Sequence, residues 1–399
     1  MRRLTVDKVE PGMVLGKSIY TDNYDILMNR GTPLTIDYIT RLKARGHTTV
    51  YVTDAETADI IITNPISDKI RAMATKDIQK MYRTTQLNLA KAENDTSSAI
   101  IKSINSPKFK KSFQQNPVLT HLYENANRFL EDIMNQSVLT GLNATKSFDN
   151  YTYEHSVDAT VISMLIAKRL SFGQDKLKQL VTGEFLHDIG QLCIDEKIAN
   201  KPGKLAPEEY EKIKLHTVYG YEILKDIDKI EGVAAHISFQ HHERQDGMGY
   251  PRGLRGSNKI DMGSLTGELR FTTSDKLVIL AEIAAIADFY DACISDRPYR
   301  TGLSPDLVYE LVKTGGGWQF NNELVDCFLS VVPKYPVGYG IKVKCGEYKD
   351  FVGVVATLNT SKLSAPKILL LNDNQKNKIK PIEVDLYSYR GLIDIECIN

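Results

Sequence analysis

The stretch LHDIGQ, residues 186–191, contains the only His-Asp dipeptide in the chain. The residues that lead into it, from Leu177 to Ile189, repeat with the spacing of a helix that has one buried face. A histidine and an aspartate in this position are either half of a metal site or two polar neighbours. The first alternative arises because imidazole nitrogen and carboxylate oxygen both bind transition metals. The rest of the chain has to decide between these alternatives.

The region around this stretch, from Tyr151 to Val332, is predicted to be all-helical because its apolar residues recur at helical spacing. Ser304 and Pro305 open the last predicted helix, as is typical of helix starts. We therefore expect a helical bundle. The predicted helices cover residues 155–170, 177–189, 207–225, 230–243, 277–293 and 305–313.

The flanking segments follow other patterns. Residues 1–58 combine short strands and turns with one helix capped by Thr35, and the β-branched run His47 to Val52 predicts a strand after it. Polar helices of a connector or sensor region are expected over residues 59–145, and a β-rich unit over residues 333–399. The predicted class is mainly α, with an α+β module before the bundle (146–332) and a small β unit after it.

Composition excludes several classes of protein. A chain of 399 residues is expected to form two to four domains. Lys plus Arg and Asp plus Glu both total 50, so no bulk positive charge favours a long nucleic acid, whereas a small anionic ligand remains compatible. No signal-peptide pattern or long apolar run is present, which predicts a cytoplasmic protein without membrane insertion. The five cysteines form no CxxC pair and are expected to be reduced.

Histidines are concentrated in one part of the chain. Imidazole together with carboxylate suits Fe, Mn, Ni or Zn, and the absence of paired thiolates argues against a structural zinc site. A single histidine is usually an ordinary core or surface residue, and this interpretation is favoured for His236, His47 and His121. Six of the eight histidines lie within 88 residues: His155, His187, His216, His236, His241 and His242.

The predicted helix from Leu277 adds carboxylates to this set. Leu277, Leu280 and Ala284 share a face with Asp288 and Asp291 at helical spacing. A carboxylate on an apolar face has to be paired or bound to a metal, because an isolated buried charge is strongly unfavourable. Asp288 alone would be read as part of a salt bridge or a cap, but with the histidines it points to a metal site.

In its motifs the chain resembles the HD-GYP family, a branch of the HD-domain phosphohydrolases. The resemblance covers about residues 150 to 330 and implies a helical bundle that binds two or three transition metals and hydrolyses cyclic di-GMP. The motifs are HS at His155, HD at His187, His216 within LHTVYGYEIL, HHERQDGMGYP at 241–251, and ADFYDACISDRPYR at 287–300.

The resemblance also implies a set of metal ligands. Asp188 would bridge two ions, three histidines would serve one ion, and the remaining ligands would serve the other. Two such ions can share a hydroxide that is formed from water with a pKa near 7 and that attacks phosphorus in line. The implied ligands are His155, His187, Asp188, His216, His241, His242 and Asp288.

By the same resemblance, Gly249, Tyr250 and Pro251 shape the substrate site, although a tight turn would also explain the glycine. Arg297 and Arg300 match positions that contact guanine or phosphate, for which a guanidinium is well suited. Asp291 is expected either to contact the substrate or to support a metal ligand.

Two positions depart from the family pattern. Some members bind a third metal through a Glu four residues before the first histidine, where this chain has Tyr151, and Glu154 would project to another side of the helix. Two divalent ions are therefore expected. The family has a Lys after HDIG, where this chain has Gln191. Glutamine cannot offset the negative charge that develops beside Asp188 in the catalytic step. Losing one positive charge that stabilises a transition state costs on the order of a hundredfold in rate.

These observations favour a metal-dependent phosphodiesterase that cleaves cyclic di-GMP to linear pGpG, with GMP as an alternative end product. Gln191 favours a second hypothesis, a catalytically weak or inactive receptor for the nucleotide. A third hypothesis is an enzyme for another cyclic dinucleotide, such as cyclic GMP-AMP. A homodimer through the connector helices is also an expectation.

Overall fold

The N-terminal part of the chain is a small α+β module. The computed structural model describes residues 1–21, 25–89, 96–141, 151–260, 276–296, 302–389 and 391–398. In the module, α1 begins after Thr35, whose hydroxyl accepts a hydrogen bond from the Tyr38 amide at 3.2 Å, as its capping role predicts. The elements are β1 (Arg2–Thr5), β2 (Val14–Leu15), β3 (Ile19–Tyr20), β4 (Ile26–Met28), α1 (Ile36–Ala44) and β5 (Thr49–Thr53).

Strands β1, β5 and β2 form an antiparallel sheet in that order, and β3 pairs with β4. Four helices follow the module within the described part of residues 59–145. Their apolar faces belong to the same core as the later helices; for example, the ring of Phe129 packs edge-on against Phe185 at 5.4 Å between centroids. The segment predicted as a connector is thus packed against the bundle. Its helices are α2 (Asp68–Asn88), α3 (Ser97–Ile104), α4 (Pro107–Gln114) and α5 (Pro117–Ile133).

The bundle itself is helical, as predicted. One short 3₁₀ helix, Ile189–Cys193, lies between α7 and α8. The helices are α6 (Tyr151–Arg169), α7 (Gln174–Phe185), α8 (Glu196–Ala199), α9 (Pro207–Leu224), α10 (Gly232–Gln240), α11 (Ile279–Ile294), α12 (Pro305–Gly315) and α13 (Asn322–Val331).

Helix α7 ends at Phe185, four residues before the predicted end at Ile189. The chain turns through His187 and Asp188 into the 3₁₀ helix, and Gly190 packs directly on α9. A β-carbon at position 190 would lie 1.9 Å from the carbonyl oxygen of His216 and 2.4 Å from the amide nitrogen of Gly220. Only glycine permits this approach, which brings the His-Asp pair beside His216.

The C-terminal part is a five-stranded antiparallel sheet in the order β10-β6-β7-β8-β9. Four of its strands match the predicted β-branched runs. Strand β9 was not predicted, because its sequence KIKPIEVD contains a proline and has few buried side chains, as an edge strand allows. The strands are β6 (Gly340–Cys345), β7 (Val352–Thr357), β8 (Lys367–Asn372), β9 (Lys378–Asp385) and β10 (Asp394–Ile398).

The two flanking units pack on each other. The Arg3 amide donates a hydrogen bond to the carbonyl of Gly338 at 2.8 Å. Met1 and Tyr51 from the N-terminal module share an apolar cluster with Val337 and Val354 from the C-terminal part. Within the described residues, no helix combines the length and the hydropathy needed to cross a bilayer.

Candidate metal centre

Five separate parts of the bundle contribute the candidate ligands to one place. Helix α6 carries His155, the turn after α7 carries His187 and Asp188, α9 carries His216, and α11 carries Asp288. His241 and His242 follow directly at the end of α10. The structure therefore brings together all seven residues that the resemblance implied.

The ligand atoms form overlapping groups, in each of which they lie within 4.8 Å of one another. The first group consists of His216, His241 and His242, and the second of His155, His187 and Asp288. A third group, made of His187, Asp188 and His241, takes one histidine from each of the other two and joins them. The expectation that three histidines serve one ion remains a prediction.

The carboxylate of Asp188 lies between the two groups. Its Oδ1 is 3.4 Å from Nε2 of His216 and 3.9 Å from Nε2 of His241, whereas its Oδ2 is 3.5 Å from Nε2 of His187. Each oxygen therefore faces a different group. This is the arrangement that a carboxylate needs if it is to bridge two ions.

Backbone carbonyls orient three of the imidazoles. Nδ1 of His187 donates to Glu184 at 2.8 Å, Nδ1 of His216 donates to Ile213 at 2.6 Å, and Nδ1 of His241 donates to Ser238 at 3.0 Å. Fixing the proton on Nδ1 leaves Nε2 as the free donor of an electron pair, as in metal-bound histidines.

His155 is oriented by a carboxylate instead. Its Nδ1 contacts Oδ2 of Asp291 at 2.6 Å, and its Nε2 contacts Oδ1 of Asp288 at 2.9 Å. Asp291 is only 2% exposed, so its observed contact corresponds to support of a ligand, one of the two roles expected for it. The ring of Tyr151 stacks on His155 at 5.7 Å, which places a phenol where a third-metal carboxylate would stand.

The ionisation states suit metal binding. Burial would raise the pKa of Asp188, but His187, His216 and His241 bring that pKa below its usual range. Burial lowers the pKa of His242 to about 4, and it lowers the pKa of His241 as well. Ionised carboxylates and neutral imidazoles are the forms that bind metals.

His155 differs from these imidazoles. Burial alone would lower its pKa, but Tyr151 and the hydrogen bonds to Asp288 and Asp291 raise the pKa above the usual range. To hold a divalent ion, Nε2 of His155 and the carboxylate of Asp288 would have to release the proton that they share. Nε2 of His187 is buried and makes no hydrogen bond within the described residues. A buried polar atom of this kind calls for a partner, and a metal ion fits the surrounding donor set.

Sequence reasoning missed one buried acid beside this centre. Glu184 is fully buried, accepts a hydrogen bond from the hydroxyl of Ser163, and has Oε2 3.9 Å from Nδ1 of His187. Burial raises the pKa of its carboxyl group. Its position three residues before His187 on a buried helix face was the available signal.

The loop that contains Gly249, Tyr250 and Pro251, called the GYP loop here, is folded against the ligands. A β-carbon at Gly249 would lie 2.5 Å from the Arg244 amide nitrogen and 2.6 Å from the carbonyl oxygen of His242. The Tyr250 amide donates to that same carbonyl at 3.1 Å, and its ring stacks on His242 at 4.7 Å. Glycine is needed at position 249, because a side chain there would collide with the backbone of Arg244 and His242. The peptide bond between Tyr250 and Pro251 is cis.

A cavity of about 410 Å³ opens beside the ligand groups. His242 and Asp288 line one side of it, Gly249 and Tyr250 line another, and Phe289 belongs to an apolar wall. The cavity thus joins metal-ligating groups to a surface on which an organic ligand can pack.

The remaining predicted site residues differ in position. Gln191 lies three residues after Asp188, and its backbone N–H donates to the backbone carbonyl of Asp188 at 2.9 Å. The side chain of Gln191 is exposed. Arg297 and Arg300 lie outside the described residues. His236 packs near Tyr221, with 5.2 Å between the rings, and belongs to neither ligand group.

Comparison with known proteins identifies the domain. Residues 128–264 match the model of the HD domain family, so the chain carries an HD domain. The cyclic di-GMP phosphodiesterase PA4108 of Pseudomonas aeruginosa is 30% identical over 247 residues, which are 60% of this chain and 54% of that protein. A cyclic di-GMP phosphodiesterase of Thermotoga maritima is 32% identical over 49% of this chain and 48% of its own.

Another relative, the 3'3'-cGAMP-specific phosphodiesterase 3 of Vibrio cholerae, is 32% identical over 41% of this chain and 31% of its own. The chain thus spans about half of the length of the first two relatives. Among solved structures, Bd1817, an HDG"Y"P protein from Bdellovibrio bacteriovorus, is 17% identical with a TM-score of 0.39, covering 82% of this chain and 97% of its own. The sequence matches confirm the resemblance to HD-domain phosphohydrolases that the motifs predicted.

Proposed function

We propose that this chain, which carries an HD domain, is a metal-dependent phosphodiesterase that hydrolyses cyclic di-GMP to linear pGpG. The observation that supports the proposal most directly is the Asp188 carboxylate, one oxygen of which faces His216 and the other His187. The names of the relatives from Pseudomonas aeruginosa and Thermotoga maritima support the choice of substrate.

The proposed cofactors are two divalent ions chosen from Fe, Mn, Ni and Zn, since nitrogen and carboxylate donors accept all four. Bound there, such ions would lower the pKa of water and neutralise charge on the phosphate. His216, His241 and His242 would hold one ion, His155, His187 and Asp288 would hold the other, and Asp188 would contact both.

The residues of the chain bind and orient the substrate in this proposal. Tyr250 and Gly249 form the wall beside His242 and keep the phosphodiester over the ligand groups. The oxygen of a water molecule forms a bond to phosphorus, the bond from phosphorus to the 3'-oxygen breaks, and that oxygen takes up a proton. Arg297 and Arg300 are proposed contacts for phosphate or guanine. A second hydrolysis of pGpG would yield GMP.

Another cyclic dinucleotide is the second candidate substrate. Two of the Vibrio cholerae relatives, at 32% identity each, are named as 3'3'-cGAMP-specific phosphodiesterases. The ligand groups would act on the phosphodiester linkage, which both nucleotides contain.

A receptor without turnover is the other candidate, and Gln191 is the observation that favours it. It stands three residues after Asp188, where the resemblance implies a lysine, and its uncharged amide cannot offset the negative charge that develops on the phosphate. In that case the ligand groups and the cavity would bind the nucleotide without cleaving it.

The test is to incubate the Mn- or Fe-loaded protein with cyclic di-GMP or 3'3'-cGAMP and to separate pGpG and GMP by chromatography. Asp188→Asn should abolish turnover and reduce metal content, whereas Asp175→Asn, which changes an exposed aspartate on α7, should leave both intact. Binding of cyclic di-GMP without any product from the wild-type protein would reject the enzyme and establish the receptor.

A further inference from the structure

Three large apolar side chains are exposed around the mouth of the cavity. Tyr210 is 45% exposed, Met248 78% and Trp318 46%. Tyr210 and Met248 line the cavity directly. Trp318 covers the guanidinium of Arg244, itself a lining residue, at 4.8 Å from the ring centroid. We call Tyr210, Met248, Trp318 and Arg244 the aromatic lip.

Hydrogen bonds hold most of the lip in place. The indole N–H of Trp318 donates to the carbonyl of Thr314 at 2.7 Å. Nε of Arg244 donates to Oδ1 of Asp246 at 3.0 Å, and the Asp246 amide donates to the carbonyl of Trp318 at 2.9 Å. Tyr210 meets the ring of Tyr250 edge-on at 6.3 Å. A surface ordered in this way loses little freedom when a flat ligand packs on it.

The volume of the cavity indicates that part of a cyclic dinucleotide lies outside it. Its volume of about 410 Å³ is near the lower end of the range of about 300–1,000 Å³ that is usual for small-molecule sites. A cyclic dinucleotide has two bases, two sugars and two phosphates. When one phosphodiester lies at the ligand groups, at least one base has to extend toward the mouth, where the lip is.

We propose that the aromatic lip binds a purine base of the substrate by stacking and so contributes to substrate affinity. The proposal rests on the phosphodiesterase function and adds the residues that hold the base. Aromatic rings and a guanidinium plane stack on any base, and one such contact changes affinity by about tenfold. Met248 adds a polarisable thioether, which packs well against aromatic rings.

Trp318 provides a direct readout, since it is the only tryptophan in the chain. The metal-loaded protein is titrated with GMP, which has a base, and with ribose 5-phosphate, which has none. We expect GMP to change the tryptophan fluorescence at concentrations at which ribose 5-phosphate does not. Equal responses to the two compounds, or no response to GMP, would overturn the proposal.

Met248→Ser is the matching variant, because this side chain is exposed and its removal should leave the fold intact. The ratio of kcat/KM for cyclic di-GMP to kcat/KM for bis(p-nitrophenyl) phosphate, a diester without nucleobases, should fall about two- to tenfold, as expected for loss of a thioether contact with an aromatic ring. Met248→Leu should restore most of the ratio. Ile61→Ser, at a position 73% exposed in the N-terminal part, is the control and should leave the ratio at the wild-type value.

The two proposals fail in different ways. A protein that shows the GMP-specific fluorescence change but hydrolyses no diester keeps the lip and loses the phosphodiesterase function. A protein that hydrolyses cyclic di-GMP with an unchanged ratio in Met248→Ser keeps the function and loses the lip.

Discussion

Gly190 lies so close to His216 that a β-carbon on it would be 1.9 Å from the carbonyl oxygen of His216. The turn that carries His187 and Asp188 can approach α9 only because position 190 has no side chain. Ser238 strengthens the same junction, since its hydroxyl donates to the carbonyl of His187 at 2.6 Å. The geometry of the candidate metal centre therefore depends on a backbone contact as much as on the ligands.

Gly190→Ala tests this dependence. The atoms that the new methyl group would meet are backbone atoms, so the turn has to move away from α9, and we expect a loss of about 2 kcal/mol or more in the free energy of unfolding. Metal content should fall at the same time. The control is Gly232→Ala, since a β-carbon at Gly232 meets nothing within 4 Å. Chemical denaturation and elemental analysis measure both quantities, and full metal content in Gly190→Ala would contradict the argument.

Asp291→Asn tests the support of His155. The amide keeps the shape of the side chain but removes the charge that holds Nδ1 of His155 in its orientation at 2.6 Å. Changes to such supporting carboxylates usually lower metal affinity about 10- to 100-fold. Competition with a chelator measures the affinity, and Asp326→Asn, on the exposed side of α13, is the control. If the two variants bind metal equally well, Asp291 does not position the ligand.

Gln191→Lys tests the missing cation. An ammonium at the position where the resemblance implies a lysine would offset charge that develops on the phosphate, so we expect kcat for cyclic di-GMP to rise, by up to about a hundredfold. Gln174→Lys adds the same charge at an exposed position on α7 and should have no effect on kcat. Steady-state kinetics with both variants give the answer. An unchanged or lower kcat in Gln191→Lys would show that the wild-type rate is not limited by this charge.

Glu282 predicts a pH dependence of stability. It lies on α11, accepts a hydrogen bond from the amide of Asn321 at 3.3 Å and another from Gln245, and burial raises its pKa to about 7. Because the pKa in the folded state is higher than in the unfolded state, the folded chain binds the proton more tightly. The stabilisation is fully present below about pH 4.5 and is lost as the pH rises through 7.

Glu282→Gln removes this titration. Each pH unit between the two pKa values contributes about 1.4 kcal/mol, so the variant should gain up to about 3 kcal/mol relative to the wild type between pH 4.5 and 8. Urea unfolding at several pH values measures the gain, and Glu131→Gln on α5 serves as the exposed control. A difference between Glu282→Gln and wild type that stays constant with pH would contradict the assignment.

The sequence implied the ligand set, and its division between two ions, only through the resemblance of its motifs to a known family, and the structure places these seven residues close together. It could not predict that Asp291 contacts His155, since that contact depends on how α6 packs on α11. The end of α7 at Phe185 was also missed, because the apolar pattern continues through Ile189 while the close contact of Gly190 with α9 forces a turn. Tertiary packing decided both features.

Local patterns also failed where burial was unusual. Strand β9 exposes most of its side chains, so it lacks the apolar alternation by which strands are recognised. Glu184 is acidic, and its polar character alone predicts an exposed side chain. The side chain is instead fully buried against Ser163 and His187. Its role follows only from the three-dimensional neighbours.

The apolar cluster shared by Met1, Tyr51, Val337 and Val354 bears on how the protein can be dissected. A fragment that starts after residue 58 would lack Met1 and Tyr51 and would uncover part of this cluster, although Ile60 and Ile62 would remain. Exposed apolar patches of this kind promote aggregation. Fragments designed to isolate the HD domain should therefore either keep both flanking units or remove both. A fragment that keeps only one unit would expose an apolar surface that is buried in the intact chain.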